Sequence, residues 1–221
     1  SGSILAVSAT QNDDGGTNAG SVHVYSINTT ATDTAGLSRI GGDINGEDAG
    51  DNFGMSLDLN GDGTILAIGA NKAEGGGSNR GHVKVYEYSS SSWSQIGDNI
   101  TGSSSGDQSG YRVSLSSDGT IVAIGSLQNY VKLYKYSSSS WSQISITLTG
   151  ASGTFFGSSL SLTADGSYLA VGARDDQSLD GSASVYQIPT ITNTTYNYNV
   201  NTPINNLYIE EIRIIKIGRA S

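Results

Sequence analysis

Several residue types are scarce, and each scarcity excludes a class of site. The 221-residue chain has no cysteine, so it can form neither a disulfide nor a thiolate metal site. Charged residues make up only 14%, the net charge is −9, and the 11 basic residues form no dense cluster. Nucleic acid is therefore not an expected partner, because a phosphate-binding surface needs concentrated lysine and arginine. No apolar run approaches the roughly 18 residues of a helical membrane span, so no span is expected.

Histidine and proline are also rare, with 2 residues of each. His23 and His82 stand one position out of register in related segments, so they predict neither a metal site nor a catalytic triad. Solvated strand positions are expected for both. No convergent set of acid, base and metal ligands is visible, so the sequence predicts no enzyme and no cofactor.

Glycine is abundant, with 30 residues, and the chain repeats itself. One apolar block occurs four times, at Ile4–Ala9, Ile65–Ala70, Ile121–Ser126 and Tyr168–Ala173. An alternating run and an Asp-Gly link precede the last three copies, which is a strong hairpin signal. A third strand ending in Tyr follows each block, and a weaker fourth strand follows most of them. Four antiparallel strands per repeat predict an all-β fold, a β-propeller of about four repeats with four-stranded blades.

At two inner strands the repeats begin with Phe53-Gly54 and Phe156-Gly157, and their second strands end in Gly69-Ala70 and Gly172-Ala173. These residues resemble the FG-GAP repeats of integrin α-chain-type β-propellers and their microbial relatives. The third repeat departs from that pattern, with Ser109-Gly110 at its start. The resemblance covers residues 1–188 and implies a binding role rather than catalysis.

The predicted organisation has two parts. Residues 1–188 form the propeller repeats, at about 4–54, 55–110, 111–157 and 158–188, and residues 189–221 match no repeat. The first repeat lacks an inner strand, so the C-terminal run Ile209–Ile217 is a candidate to pair with Ile4–Ala9 and close the ring, or to self-associate with a neighbouring molecule. A fragment of a larger propeller is the alternative to a small closed ring.

Asp58, Asn60 and Asp62 match the front half of a calcium loop. The glutamate position of such a loop is Gly69, and the equivalent turns elsewhere carry one carboxylate each. A plain hairpin turn is therefore favoured over a calcium site, and no cofactor is expected.

Variable loops on one face of a repeat scaffold are common binding surfaces. The loops between second and third strands, and the links between repeats, are expected to emerge on the same face. Their charged residues also suit loops that merely confer solubility. The candidate ligand-binding residues are Asp13, Asp14, Glu47, Asp48, Asp51, Glu74, Arg80, Asp107, Arg174, Asp175 and Asp176.

The functional expectation is a non-catalytic recognition or adhesion module that binds a protein or glycan, with a structural self-assembling component as the alternative. Sequons at Asn28, Asn99 and Asn193 favour a secreted glycoprotein weakly. An extracellular or cell-surface location is expected on these grounds.

Overall fold

The fold was analysed in a computed structural model that describes residues 3–28, 36–74, 78–174, 181–189 and 214–215. Within these ranges the chain forms antiparallel sheets and no α-helix, so the all-β prediction is confirmed. No element there is a helix long and apolar enough to cross a membrane.

The described strands form four antiparallel sheets, numbered here in chain order. Sheet 1 contains β1 (Ile4–Ala9), β2 (Ser21–Ile27), β3 (Leu37–Arg39) and β4 (Ile44–Asn45). Sheet 2 contains β5 (Phe53–Leu59), β6 (Ile65–Ala70), β7 (His82–Ser89), β8 (Ser92–Gln95) and β9 (Ile100–Thr101). Sheet 3 contains β10 (Arg112–Leu115), β11 (Ile121–Gly125), β12 (Tyr130–Ser137) and β13 (Ser140–Thr149). Sheet 4 contains β14 (Phe156–Leu162), β15 (Tyr168–Ala173), β16 (Ser182–Gln187) and β17 (Ile214–Ile215).

Most strands of a sheet pair with the next strand in sequence, whereas the short strands β4 and β9 pair with β2 and β7. In sheets 2 to 4 the first strand is β5, β10 or β14, and it pairs with the strand that carries the repeated apolar block. Tight Asp-Gly turns join these pairs, and Gly63, Gly119 and Gly166 have φ values of 78°, 71° and 70°. Glycine adopts that left-handed conformation without steric cost, which explains the recurring dipeptide.

The sheets stack face to face, and the contact between consecutive sheets is apolar. We call the face of a sheet that packs on the preceding sheet its front face, and the opposite face its rear face. The front face of sheet 2 presents Leu66 and Ile68 to Val22 and Val24 on the rear face of sheet 1. The same arrangement recurs between sheets 2 and 3 and between sheets 3 and 4. Strands buried on both faces must be apolar throughout, as the central blocks are.

Inner strands of consecutive sheets lie side by side, with β5 beside β10 and β10 beside β14. Sheet 1 has no described strand on the inner side of β1, so its first strand is the equivalent of β6, β11 and β15. The order of stacking is compatible with a propeller-like arrangement of antiparallel sheets.

The predicted C-terminal strand falls mainly outside the described residues. Ile214–Ile215 pair with Val185 and Tyr186 of β16, on the outer edge of sheet 4, and not with β1. Ring closure by the rest of residues 189–221 stays a prediction.

Candidate functional site

The loops that join the second and third strands of each sheet meet the links between sheets, along one edge of the stacked sheets. The backbone N–H of Gly50, in the link from sheet 1 to sheet 2, donates to the carbonyl of Thr17 over 2.9 Å. The N–H of Lys72, in the next loop, donates to the carbonyl of Asp51 over 3.2 Å. This link is therefore held between the loop of the preceding sheet and the loop of the following sheet. Most of the charged loop residues lie along this edge of the stacked sheets.

Lys84 is a buried cation at the junction of sheets 1 and 2. Its side chain is 3% exposed, and its Nζ lies 2.6 Å from Oε1 of Glu47, whose side chain is 67% exposed. Lys84 projects from the front face of β7, where Val83 and Val85 on either side point to the rear face. The ion pair holds the pKa of Glu47 below its usual value, chiefly through the hydrogen bond with Lys84.

Asp51 is the buried acid of the same junction and is 3% exposed. Burial, followed by repulsion from the carboxylate of Asp48, raises the pKa of Asp51 to about 6. A hydrogen bond from the backbone at Asp48 and the charge of Lys84 lower it in part. A carboxyl group with such a pKa exchanges its proton close to neutral pH, which is what a general acid or base requires.

His82 completes the group at the start of β7, where it is 6% exposed. Burial, followed by the charge of Lys84, lowers the pKa of His82 to about 4. The imidazole is therefore neutral at pH 7. We refer to Glu47, Asp51, His82 and Lys84 together as the junction cluster.

Asp107 occupies the position of Asp51 in the link from sheet 2 to sheet 3, but its surroundings differ. Its Oδ2 accepts hydrogen bonds from the backbone N–H groups of Ser103 and Ser104, at 2.6 and 2.9 Å, and from the Tyr130 hydroxyl at 2.7 Å. Lys132, which is equivalent to Lys84, contacts the hydroxyl of Ser103 instead of a carboxylate. Asp107 is thus saturated by three donors and ties its link together, whereas the pKa of Asp51 is raised by burial. The two links therefore have equivalent backbone positions, but the side chains at these positions have different partners.

The structure brings together Glu47, Asp48 and Asp51 of the predicted ligand-binding residues. Arg80 and Asp107 meet at the next junction, where Arg80 Nη2 donates to the carbonyl of Ser103 over 2.7 Å. The guanidinium of Arg174 lies 4.2 Å from the ring centroid of Phe155.

The remaining predicted residues are spread around the same end. Asp13, Asp14 and Glu74 are exposed, and Asp13 accepts from the backbone N–H of Asn18 over 2.7 Å. Asp175 and Asp176 lie outside the described residues.

Sequence reasoning missed Lys84 and misjudged His82, which is buried rather than solvated. The available signal was their position on a strand whose neighbouring sheets cover both faces. A polar residue between Val83 and Val85 in such a strand faces the preceding sheet, not water.

The calcium-loop residues do not converge on one point. Asp58 points to the neighbouring sheet, where its Oδ2 accepts from the backbone N–H of Leu115. Asn60 accepts from the backbone of Thr64 and Ile65, and Asp62 accepts from the backbone and hydroxyl of Thr64. The oxygens of Asn60 and Asp62 thus stabilise the hairpin turn. Across the parts of the chain that the structure describes, no group of three or more His, Asp or Glu is placed to hold a metal ion.

Two of the predicted sequon asparagines are exposed, Asn28 and Asn99. The amide oxygen of Asn99 accepts from Nε2 of Gln95 over 2.9 Å. Asn193 lies outside the described residues, and glycosylation stays a prediction.

Comparison with known proteins gives a likeness of fold. No protein-family model and no curated protein sequence matches the chain. Among solved structures, a candidate 6-phosphogluconolactonase from Bacteroides fragilis is similar, with a TM-score of 0.53 and 18% sequence identity. The match covers 76% of this chain and 44% of that protein, so this chain spans less than half of its length. At this identity the likeness concerns the fold alone.

The predicted membership of the FG-GAP repeat family is wrong, since no family model matches and the similar fold belongs to a lactonase candidate. The Phe-Gly pairs have a packing origin. Phe53 is 1% exposed and meets the Tyr86 ring edge-on, with centroids 6.4 Å apart. Gly54 has a φ of 90°, and a Cβ there would lie 2.6 Å from Cβ of Ser8. The packing between stacked sheets is therefore enough to explain the Phe-Gly pairs without membership of that family.

The prediction of a non-catalytic adhesion module, with its structural alternative, is also wrong, because it rested on that resemblance and the similar fold is that of a candidate enzyme. The prediction that the chain is no enzyme is wrong on the same finding. The comparisons give no support to an integrin-like, adhesive or secreted protein either. The cellular location stays a prediction.

Proposed function

We propose that this chain is part of a β-propeller hydrolase that opens a sugar-derived lactone or related ester, and that its four sheets are consecutive blades. The junction cluster is its reactive site. The observation that carries the proposal is Asp51, a buried carboxyl group whose pKa is raised to about 6 beside a buried lysine. The likeness to a candidate 6-phosphogluconolactonase supports the choice of substrate class.

The chemistry follows from the charges of the cluster. Lactone hydrolysis needs a base that takes a proton from water as the oxygen attacks the carbonyl carbon. The ionised Asp51 carboxylate fills that role. Negative charge then develops on the carbonyl oxygen, and the ammonium group of Lys84 stabilises it.

The tetrahedral intermediate collapses when the ring C–O bond breaks. The proton held by Asp51 passes to the departing alkoxide, which leaves a hydroxy acid and restores the carboxylate. Water is the only co-reactant. His82 is neutral at pH 7, because its pKa is lowered to about 4, so it adds no positive charge to the site.

Glu47 lies between the solvent and the buried side chains of Asp51 and Lys84. Its side chain is 67% exposed and is the outer partner of Lys84. A substrate carrying a carboxylate or phosphate competes with Glu47 for the ammonium group, which favours anionic substrates. The expected partner thus narrows from a protein or glycan to a small sugar acid derivative.

The test measures hydrolysis of 6-phosphogluconolactone and of its unphosphorylated counterpart against the spontaneous rate. Wild-type protein accelerates the reaction, and Asp51→Asn lowers the catalysed rate by about 100-fold or more, the range expected for loss of a general base. Asp107→Asn is the matched control, since it changes the same position of the next link and keeps the rate. Absence of acceleration, or equal rates for wild type and Asp51→Asn, contradicts the proposal.

A further inference from the structure

The first junction lies between sheets 1 and 2, the second junction lies between sheets 2 and 3, and their backbones are matched. At the first junction the N–H of Phe53 donates to the carbonyl of Ala19 over 2.9 Å. At the second junction the N–H of Ser109 donates to the carbonyl of Arg80 over 3.1 Å. Residues of one junction therefore have equivalents at the other, and the side chains at equivalent positions can be compared directly.

Three equivalent positions gain a positive charge or lose a negative charge at the second junction. The lysine of the third strand is kept, as Lys84 in the first junction and Lys132 in the second. Elsewhere the second junction has Arg80 in place of Ala19, Ser103 in place of Glu47 and Ser104 in place of Asp48. The carboxylate that pairs with the lysine is thus replaced by a hydroxyl, and a guanidinium group is added. This exchange runs against the composition of the chain, whose net charge is −9.

Both cations of the second junction contact Ser103. Arg80 Nη2 donates to its carbonyl over 2.7 Å, and Nζ of Lys132 donates to its hydroxyl oxygen. Lys132 is half-buried and its contact with Ser103 is exposed, whereas Lys84 is buried. Within the parts of the chain that the structure describes, no carboxylate forms an ion pair with Lys132. An anion in solution therefore has access to this ammonium group.

Asp107 is the carboxylate of the same link, and other donors hold it. It is 7% exposed, and its Oδ2 accepts from the backbone N–H groups of Ser103 and Ser104 and from the Tyr130 hydroxyl. Asp107 thus stabilises the link rather than serving as the partner of Lys132. Because Lys132 donates to the Ser103 hydroxyl oxygen, the hydroxyl proton of Ser103 is available to a further acceptor.

We infer that the second junction binds a phosphate group, held by Arg80 and Lys132 with the Ser103 hydroxyl as a further donor. The planar guanidinium of arginine suits the oxygens of a phosphate, and the lysine ammonium adds a compact charge. Two like charges beside one serine repel each other, and a phosphate between them replaces this repulsion with attraction. The site uses no residue of the junction cluster, so the inference goes beyond the proposed hydrolysis and does not depend on it.

The test titrates inorganic phosphate, and separately glucose 6-phosphate, into the whole chain by isothermal titration calorimetry in a phosphate-free buffer of low ionic strength. Saturable binding is expected. Ser103→Glu installs the acid that the first junction has at this position, and Arg80→Ala installs its alanine. Each is expected to raise the dissociation constant about tenfold or more, as is Lys132→Gln, which is the effect of losing one hydrogen bond to a charged group. Equal affinities for the two ligands assign the site to free phosphate, and tighter binding of glucose 6-phosphate assigns it to a phosphate monoester.

Matched controls separate a local contact from a long-range effect of charge. Ser142→Glu adds the same charge as Ser103→Glu at an exposed position of β13, and Lys135→Gln removes a positive charge from an exposed position of β12. Both are expected to keep the wild-type affinity. Asp51→Asn, which removes the base of the proposed hydrolysis, is expected to keep it too, so the two proposals fail separately.

Circular dichroism checks that each variant is folded. A wild type that binds neither ligand overturns the inference. So does an affinity that Ser103→Glu, Arg80→Ala or Lys132→Gln leaves unchanged in a folded protein, or an equal loss of affinity in Ser142→Glu.

Discussion

The carboxylate of Asp58 in sheet 2 accepts a 2.7 Å hydrogen bond from the backbone N–H of Leu115, in the inner strand of sheet 3. One sheet further on, the hydroxyl of Ser114 accepts from the backbone N–H of Leu162 over 3.1 Å. Side chains of one inner strand thus satisfy backbone donors of the next. Because buried backbone groups must be paired, this contact fixes the relative height of neighbouring sheets as well as their stability.

Replacing Asp58 tests that contact. Asp58→Ala leaves the Leu115 N–H buried without its partner and is expected to lower the free energy of unfolding by about 1–3 kcal/mol. Asp58→Ser is the control, because serine fills the same role at position 114. It retains the acceptor and loses less stability. Urea unfolding monitored by tryptophan fluorescence measures both, and equal losses in the two variants contradict the assigned contact.

Asp58→Ser also reveals the cost of the buried charge. Burial raises the pKa of Asp58 above 3.8, so the folded state holds its proton more tightly than the unfolded state. The contribution of Asp58 to stability therefore falls as pH rises through the folded pKa. Relative to Asp58→Ser, wild-type protein is expected to lose stability above about pH 4. A stability difference that is independent of pH between 3 and 7 would count against this.

Gly97 and Gly106 form a matched pair for testing the contact between outer strands. Both have positive φ, 69° and 81°. A Cβ on Gly97 lies 2.6 Å from Cδ1 of Trp141, whereas a Cβ on Gly106 meets nothing within 4 Å. Gly106→Ala is expected to cost about 1 kcal/mol from backbone strain. Gly97→Ala is expected to cost roughly 1–3 kcal/mol more, because the indole must move.

Thermal unfolding measures the two glycine variants. The emission of Trp141, whose Nε1 donates to the carbonyl of Ile96 over 3.0 Å, reports the displacement in Gly97→Ala. Equal melting temperatures for the two variants would contradict the prediction, because they would mean that the Trp141 indole moves aside at no cost in stability.

The strands could be predicted from sequence because each central block is apolar throughout. β1, β6 and β15 have the bounds of the predicted blocks, and β11 differs by one residue. A strand covered on both faces must be apolar at every position, so the signal is strong. The outer strands β3 and β8 carry few apolar residues, since one side faces water, and their signal was accordingly weaker.

The site could be predicted only in part. The meeting of Glu47 and Asp51 with the second-to-third-strand loops followed from hairpin topology. The raised pKa of Asp51 did not, since Asp107 holds the same place in an equally glycine-rich link, is buried as well, and differs in its hydrogen-bond donors. Likewise, the role of Asp58 depends on the stagger between two sheets, which no local pattern encodes. The Phe-Gly pairs led to a wrong family prediction, because packing between stacked sheets requires the same two residues that mark that family.

The junction cluster predicts two opposing effects of pH on stability. Between about pH 4 and 6.5 the unfolded state protonates His82 and the folded state does not, so this group makes stability rise with pH. Between about pH 3.8 and 6 the folded state holds a proton on Asp51 that the unfolded state releases, so this group makes stability fall as pH rises. In wild-type protein these two contributions are therefore expected to cancel in large part in this window.

Single substitutions separate the two effects. Asp51→Asn exposes the contribution of His82, and its stability is expected to rise from pH 4 to 6.5. His82→Asn exposes that of Asp51 and gives the opposite slope. Melting temperatures at half-unit pH intervals measure both slopes, and parallel curves for the two variants would rule out the assigned pKa shifts.

The pH dependence of lactone hydrolysis tests the central claim most directly. Rates are measured from pH 4.5 to 7.5 for wild type, Asp51→Asn and Asp107→Asn, with the spontaneous rate subtracted at each pH. Since the base is the ionised Asp51 carboxylate, wild type and Asp107→Asn are expected to gain activity with an apparent pKa near 6, matching the pKa of about 6 for Asp51. Asp51→Asn is expected to lose both the rate and the inflection while keeping its fold by circular dichroism. A folded wild-type protein with no catalysed rate, or an Asp51→Asn profile that coincides with that of wild type, contradicts the account.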